Sequence, residues 1–276
     1  MANFTLADVK ELREQLGTGM VDTKKALEEA DGDKEKAVEI LRLKGAKGNA
    51  KRADRSTSEG LVAAKDNGNG TATLIELATE TDFVAKGDKF IALSEKVLDA
   101  VAAAGASTLD EALAAPVDGT TVKETIDGVA AILGEKMELR KVALLKGANF
   151  EIYLHRTSQD LPPQVGVVVA YEGDDAATAR GIAQHIAMFD PQYLTREDVP
   201  AEAIDKERVI VEEISRSEGK PEAALPKIIE GRLTGFFKQI VLLEQDYARD
   251  NKQTVKKITD AANVNVVDFG RIRVGA

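Results

Sequence analysis

The sequence predicts an α+β protein with three parts: a small N-terminal three-helix bundle, a core of two related α+β halves with antiparallel sheets, and an inserted antiparallel helical hairpin. Apolar residues recur at helical spacing over residues 5–45, in short segments separated by glycine and aspartate. From residue 59 onward a hairpin, a buried-type strand, an acidic loop and a helix follow one another, and this order occurs twice. Residues 190–237 then indicate two antiparallel helices joined by a short turn.

The first segment of the chain, residues 1–46, is predicted to form the bundle, with Gly45 ending its third helix. Three helices in so short a segment bury only a thin core. Residues 47–58 are predicted to be a basic linker, because the run 44–55 holds five Lys and Arg against one Asp. A short charged run of this kind is usually a solvated connection, and contact of this run with the ribosome or RNA stays open.

The core is predicted to divide into two halves. The first half covers residues 59–139 and opens with two strands joined by an Asn-Gly turn, which is a strong hairpin signal. The second half covers residues 140–189 and 238–276, and its first strand is predicted at 140–147. The helical hairpin, residues 190–237, interrupts the second half. Because two helices bury little by themselves, we expect the hairpin to project and to pack on something else.

The composition excludes several classes of function. There are no cysteines among the 276 residues, which rules out a disulfide framework, thiolate catalysis and cysteine-based metal sites and is consistent with a reducing cytoplasm. The N-terminal segment lacks the apolar core of a signal peptide, and no run of about 18 apolar residues predicts a membrane span. A net charge of −10 does not suit contacts with phosphate groups, so no direct binding of nucleic acid is expected.

The sequence contains no recognisable motif for catalysis or cofactor binding. His185 lies on the apolar face of a predicted helix, where a core histidine is the default, and His155 ends an alternating strand, where it is a surface contact or has no role. A metal site built from carboxylates such as Asp174 and Asp175 stays open. We therefore predict no catalytic residue, no cofactor and no metal ligand, and a protein that works through its surfaces rather than as an enzyme.

The stretch TETDFVAKGD, residues 79–88, lies between a buried strand and an amphipathic helix, so the chain must turn there at the surface. Phe83, a large apolar ring, lies within this turn among charged residues. Two interpretations follow from its position. Either the ring contacts a partner, or it folds back against the following helix as a hydrophobic staple.

Four stretches carry a resemblance to a known family, in the same order along nearly the whole chain. They are LREQLGTGMVDTKKALEEADGDKEKAVEILRLKG (12–45), IELATETDFVAKGDKF (75–90), HIAMFDPQYLTREDVPAE (185–202) and IIEGRLTGFFKQIVLLEQDY (228–247). These stretches resemble the bacterial translation elongation factor Ts family. The sequence TDFV at the centre of the second stretch is highly specific in this context.

The resemblance implies a guanine nucleotide exchange factor in translation elongation. Such a protein is cytoplasmic, binds the GTPase elongation factor Tu in its GDP-bound and nucleotide-free forms, and promotes GDP release by displacing Mg²⁺ through the TDFV loop, so that GTP can bind. The bundle is then ubiquitin-associated-like and docks on the GTPase domain of the partner. The hairpin serves dimerisation in members that have it, which leaves a dimer, or a heterotetramer with the partner, as an open question.

The resemblance also implies roles for individual residues. The element that displaces Mg²⁺ is matched by Thr81, Asp82, Phe83 and Val84, with the Phe83 ring as a wedge between helices of the partner. The docking surface of the bundle is matched by Leu12, Met20, Val21 and Lys24. For these four residues the alternatives are bundle core and solvated charge, because so small a bundle needs its apolar residues. In the second half, His155 matches a contact position, whereas contact at Ala248 and Arg249 stays open because other members have apolar residues there.

Two other classes of function remain as alternatives. A non-catalytic binding module for ubiquitin-like or nascent-chain partners would use the N-terminal bundle and would leave the TDFV stretch without a role. An enzyme built on a carboxylate site would need an organised cluster of acidic residues, and no site motif supports one.

Overall fold

The computed structural model describes residues 3–16 and 18–276, and this part of the chain contains eleven α-helices and ten strands. The helices are α1 (Leu6–Leu16), α2 (Met20–Glu29), α3 (Lys34–Lys51), α4 (Asp82–Ala85), α5 (Asp88–Ala104), α6 (Leu109–Ala114), α7 (Val122–Leu133), α8 (Ala176–Phe189), α9 (Ala201–Ser217), α10 (Leu225–Ile240) and α11 (Val255–Ala261). The strands are β1 (Glu59–Asp66), β2 (Thr71–Thr79), β3 (Pro116–Val117), β4 (Thr120–Thr121), β5 (Met137–Lys146), β6 (Asn149–His155), β7 (Val165–Glu172), β8 (Asp246–Tyr247), β9 (Asp250–Thr254) and β10 (Asn265–Arg273). Within the described residues, no helix has the length and apolar character needed to cross a membrane.

Two three-stranded antiparallel sheets form the core, and they share one topology. The strand order is β1-β2-β5 in the first sheet and β6-β7-β10 in the second. In each sheet a pair of consecutive strands supplies one edge and the centre, a helix follows, and a later strand completes the other edge. Helix α5 packs on the first sheet and α8 on the second. The predicted α+β class, with two related halves and antiparallel sheets, is confirmed.

The structure corrects the predicted boundary between the halves. Residues 140–146 belong to β5, which pairs with β2 in the first sheet and sets Ala143 opposite Leu74. The prediction that the second half begins at residue 140 is therefore wrong, and the second sheet begins with β6. The apolar pattern of a strand indicates which of its faces is buried, whereas the identity of its neighbour depends on pairing between distant segments.

Helix α3 is continuous, and this contradicts two further predictions. Gly45 does not end the third helix, and residues 47–51 are helical rather than part of a basic linker. Residues 52–58 connect α3 to β1. Gly45 lies against α7, where an added Cβ atom would come within 2.8 Å of the Ala131 Cβ. Glycine at this position therefore permits close contact between two helices, and the sequence alone does not distinguish that role from a helix end.

The inserted hairpin consists of α9 and α10 and has a small core of its own. The buried residues of this core are Val199, Val211, Leu225, Ile229, Leu233, Phe237 and Val241. An ion pair between Arg232 and Glu218 (2.6 Å) ties α10 to the connection after α9. The predicted antiparallel helical hairpin is confirmed.

The two sheets pack against each other through a layer of buried apolar side chains. The layer consists of Val62, Ala72, Leu74, Leu145, Val168 and Ile272. Gly166 of β7 faces this layer, and an added Cβ atom would come within 2.4 Å of Val62 Cγ1 and 2.9 Å of Leu74 Cδ1. Because the contact leaves no room for a methyl group, the two halves are closely packed where the sheets meet.

We expect Gly166→Ala to lower the free energy of unfolding by about 1–3 kcal/mol, because overpacking forces neighbouring atoms to move. Urea denaturation followed by circular dichroism measures the change. Gly128→Ala is the matched control, since an added Cβ on this exposed residue of α7 meets no atom within 4 Å. The control should be neutral or stabilise the protein by roughly 0.4–1 kcal/mol. Equal stability of the two variants would contradict close packing at Gly166.

Candidate partner-binding site

The TDFV stretch forms a single helical turn, α4, between β2 and α5. Thr81 is its N-cap, and the Thr81 hydroxyl accepts a hydrogen bond from the Val84 backbone N–H (3.4 Å). Ala85 is buried and Val84 is half-buried against the core of the first half. One side of the turn is therefore packed, and the other side faces solvent.

Phe83 lies on the solvent side of this turn, and 76% of its surface is exposed. The Lys86 ammonium nitrogen lies 4.6 Å from the centroid of the Phe83 ring and 3.3 Å from Asp82 Oδ2. The alternative in which Phe83 acts as a staple is wrong, because a staple would be buried against the following helix. A large ring held in water on an ordered turn has the form of an interface anchor.

The carboxylate of Glu135 anchors the start of this turn. It accepts hydrogen bonds from the Thr81 backbone N–H (3.1 Å), the Thr81 hydroxyl (2.6 Å) and the Thr79 hydroxyl (2.9 Å). The pairing of β2 with β5, in which Thr79 faces Met137, brings Glu135 to this position. Glu135 is not among the residues that the sequence predicts. The one feature of the sequence that marks Glu135 is its position directly after Gly134, the glycine that caps the C-terminus of α7.

The structure separates the predicted docking residues of the bundle into two groups. Leu12 is buried in the bundle core, which contradicts its predicted surface role and fits the core alternative. Met20 and Val21 lie in the first turn of α2 and are exposed, Val21 by 64%. Lys24 is also exposed and forms an ion pair with Glu28 one turn later (3.7 Å). Met20, Val21 and Lys24 thus face solvent.

The two histidines lie in different surroundings. His155 is exposed at the end of β6, where its Nδ1 lies 3.0 Å from the Tyr153 hydroxyl. His185 is buried, as expected for a core histidine, and its Nδ1 accepts a hydrogen bond from the Ala248 backbone N–H (3.1 Å). The Nε2 of the neutral ring therefore carries the proton and donates to Gln245 Oε1 (2.8 Å). Burial lowers the pKa of His185 and favours this neutral form.

Asp175, the second residue of the acidic pair before α8, has a local structural role. The Asp175 carboxylate accepts hydrogen bonds from the Thr178 backbone N–H (2.9 Å) and hydroxyl (2.8 Å), and thereby caps α8. These hydrogen bonds lower the pKa of Asp175. Among residues 3–16 and 18–276, no three His, Asp or Glu side chains are grouped so that they could hold a metal ion. The open possibility of a carboxylate metal site at Asp174 and Asp175 thus gains no support.

Comparisons with known proteins agree with the resemblance of the motifs. A family model described as Elongation factor TS matches residues 80–276. The proteins named elongation factor Ts from Leifsonia xyli subsp. xyli and Clavibacter sepedonicus are each 71% identical to this chain over 276 residues. The elongation factor Ts of Micrococcus luteus is 56% identical over 278 residues, and all three matches cover 100% of both chains. The chain belongs to the elongation factor Ts family.

Membership of the elongation factor Ts family confirms the resemblance of the motifs and makes this chain a translation elongation factor. The residues that the family model matches include the Thr81–Val84 turn and Glu135. The bundle lies before them and is covered by the whole-chain relatives.

We expect Glu135→Ala to speed amide hydrogen exchange at residues 80–86, because Thr81 at the start of the turn loses two hydrogen bonds to that carboxylate and Thr79 of β2 loses one. Donors left without partners should also lower the free energy of unfolding by about 1–3 kcal/mol. Hydrogen–deuterium exchange with mass spectrometry gives the local effect, and urea denaturation gives the global one. Glu95→Ala, which removes an exposed carboxylate from α5, is the control. Unchanged exchange at residues 80–86 would show that Glu135 does not hold the turn.

Proposed function

We propose that this member of the elongation factor Ts family is a guanine nucleotide exchange factor for the GTPase elongation factor Tu. It acts in the cytoplasm by binding its partner and supplies no catalytic residue. The observation that carries the proposal is the geometry of the TDFV turn. Phe83 is exposed there on a helical turn that Thr81 caps and Glu135 anchors.

In the proposed mechanism the Phe83 ring is a wedge. A rigid ring on an anchored turn loses little conformational entropy on binding, so most of the free energy from its burial is available to displace partner segments. Inserted between helices of the partner, the ring would shift the segments that hold Mg²⁺. Bound Mg²⁺ compensates the phosphate charge of the nucleotide, so its loss speeds GDP release and allows GTP to bind.

The other three residues of the turn would support the wedge. Thr81 fixes the start of the turn through its cap, and Val84 packs inward against the first half. Asp82 is half-buried, but its carboxylate pairs with Lys86 at the surface, and an ion pair of this kind contributes little stability. Its carboxylate is therefore free to position the turn on the partner or to place a negative field near the Mg²⁺ site.

Two further contacts with elongation factor Tu are proposed. The exposed Met20 and Val21 side chains, with Lys24 one turn later, form a small apolar patch bordered by a positive charge. This patch would dock on the GTPase domain of the partner. His155, exposed at the end of β6, would give the second half a contact with another domain.

Exchange by this route obeys thermodynamic linkage. If the factor weakens GDP binding by a given ratio, GDP weakens binding of the factor by the same ratio. The factor must therefore bind the nucleotide-free partner more tightly than the GDP-bound partner. It accelerates release of either nucleotide, and the nucleotide pool of the cell sets the direction of exchange.

The alternative function is a non-catalytic module for ubiquitin-like or nascent-chain partners. Such a module would use the bundle and would assign no role to the exposed ring of Phe83. Exchange is favoured because it accounts for both the ring and its anchored turn. A pull-down that recovers ubiquitin-like or nascent-chain partners and no GTPase would favour the alternative.

The hairpin is proposed to serve dimerisation, with a heterotetramer as the assembly that includes two partner molecules. Ile210 and Ile214 lie one turn apart on α9 and are 49% and 42% exposed. Apolar side chains on one helix face suit association with the same face of a second copy.

We expect Phe83→Ala to reduce the acceleration of GDP release by roughly thirtyfold or more, because truncating an aromatic hot spot costs about 2 kcal/mol or more. Stopped-flow release of a fluorescent GDP analogue from elongation factor Tu measures it. The comparison should be made with and without excess Mg²⁺, which opposes a mechanism that displaces the ion. Leu109→Ala, at a partly exposed leucine of α6, is the control.

Two results of this experiment would count against the mechanism or the function. If Phe83→Ala accelerates release as well as the wild type, exchange stands but the ring is not its agent. If the wild type does not accelerate release, the exchange function itself is wrong.

We expect Ile210→Glu to shift the protein towards the monomer, because a charge on the apolar face of α9 would be buried in the dimer. Sedimentation velocity at several protein concentrations measures the assembly. Asp205→Asn, at an exposed residue on the opposite side of the same helix, is the control. A wild type that sediments as a monomer at all concentrations would exclude the proposed role of the hairpin.

A further inference from the structure

The C-terminal part of α3 is fixed to α7 along one face. Gly45 makes the closest approach, beside Ala131. The Asn49 side-chain amide donates to the Asp127 carbonyl oxygen (2.8 Å), and Arg52 Nη2 donates to the Ala130 carbonyl oxygen (3.4 Å). Because these positions recur at intervals of four and three, they share one side of the helix.

The opposite face of this helical segment is turned to solvent. Lys47 and Lys51 are exposed there. The two lysines thus place positive charge on the solvent face, whereas the face that contacts α7 carries Gly45, Asn49 and Arg52. Arg52 also donates to Asn49 Oδ1 (2.8 Å), so the two polar side chains hold each other in place.

The next turn of the chain connects this contact to the TDFV turn. Arg55 forms an ion pair with Glu80 (3.1 Å), the residue directly before Thr81. The Lys136 backbone N–H donates to the same Glu80 carboxylate (2.6 Å), and the Lys136 ammonium donates to the Arg55 carbonyl oxygen (3.1 Å). The three residues close a ring of contacts, in which Glu80 is largely buried.

Helix α7 and the turn after it are thus a common support. The helix holds the end of α3, and the turn supplies Glu135 to Thr81 and the Lys136 N–H to Glu80. The bundle and the TDFV turn are fastened to one element. A flexible linker over residues 47–58 would instead let the bundle move over about 20 Å root mean square.

We propose that Gly45, Asn49, Arg52 and Arg55, here called the latch, hold the bundle in a fixed orientation relative to Phe83. The exposed surface around Met20 and Val21 and the Phe83 ring then meet one GTPase partner as a preorganised pair. When one contact forms, the latch keeps the second at high effective concentration, so the latch residues act as positioning residues without touching the partner. The partner in this proposal rests on the proposed exchange function, whereas the fixed orientation is a property of this chain alone.

The test compares two double variants of the full-length protein. Asn49→Ala combined with Arg52→Ala opens the latch, and Lys47→Ala combined with Lys51→Ala changes the exposed face of the same segment. The control removes more positive charge than the latch variant, so an effect of charge on association would be larger in the control. Gly45→Leu is a second latch variant, which acts by a clash with Ala131 rather than by loss of hydrogen bonds.

The first measurement does not depend on the partner. Hydrogen–deuterium exchange of the protein alone should show faster exchange at residues 44–55 in both latch variants. The amides of α1 and α2 should stay protected as in the wild type, which establishes that the bundle remains folded. Equal protection of residues 44–55 in the wild type and in both latch variants would overturn the latch.

The second measurement uses stopped-flow release of a fluorescent GDP analogue from elongation factor Tu at increasing factor concentration. Opening the latch should raise the concentration for half-maximal acceleration by about tenfold, because effective concentration is lost. The maximal rate should stay near that of the wild type, because the TDFV turn is intact. A lower maximal rate with unchanged half-maximal concentration would overturn the pairing of the two contacts.

The last part of the test introduces Val21→Ala into the wild type and into the Asn49→Ala, Arg52→Ala variant. This substitution should raise the half-maximal concentration of the wild type, and should have a much smaller effect once the latch is open. Independent effects of the two changes would overturn the proposal. If the wild type does not accelerate GDP release at all, the proposed function fails and the paired binding fails with it, whereas hydrogen exchange still decides whether the orientation is fixed.

Discussion

The pairing of β2 with β5 is the constraint on which the candidate site depends. Its register sets Thr79 opposite Met137, so the residues just before β5 lie beside the residues just after β2. Glu135 therefore reaches Thr81, and the Lys136 backbone N–H reaches Glu80. Helix α7, which leads into β5, is placed by the same pairing and receives the end of α3. One strand pair thus supports both the exposed ring and the attachment of the bundle.

Local sequence signals correctly predicted several features that depend on one short segment of the chain. The Asn-Gly turn joins β1 and β2 as expected, and the two helices of the inserted hairpin follow from their apolar spacing. The core position of His185 follows from its place on the apolar face of α8. The surface position of the TDFV turn was predictable as well, because a turn between a buried strand and a helix lies at the surface. The exposure of the Phe83 ring was not, because its position also allowed a buried staple.

The same signals could not show which distant segments meet. The contact of α3 with α7 is made by a glycine, an amide and a guanidinium rather than by an apolar stripe, so its sequence has the pattern of a solvated run. Leu12 illustrates a second limit, because helical periodicity marks core and docking residues alike and packing alone separates them. Glu135 is one carboxylate among 47 Asp and Glu residues until the strand register places it beside Thr81.

In the proposed exchange mechanism the factor must distort its partner, and this requirement would explain why an exposed ring and a rigid support occur together. The free energy gained by burying Phe83 can move Mg²⁺-binding segments only if the turn is stiffer than the segments it displaces. Three features restrict movement of the turn: the Thr81 cap, the hydrogen bonds to the Glu135 carboxylate and the burial of Ala85. Thermodynamic linkage leads to the same requirement for a stiff turn. The ratio by which the factor weakens GDP binding equals the ratio of its affinities for the nucleotide-free and the GDP-bound partner. A surface that adapted equally well to both states would bind tightly and shift nothing.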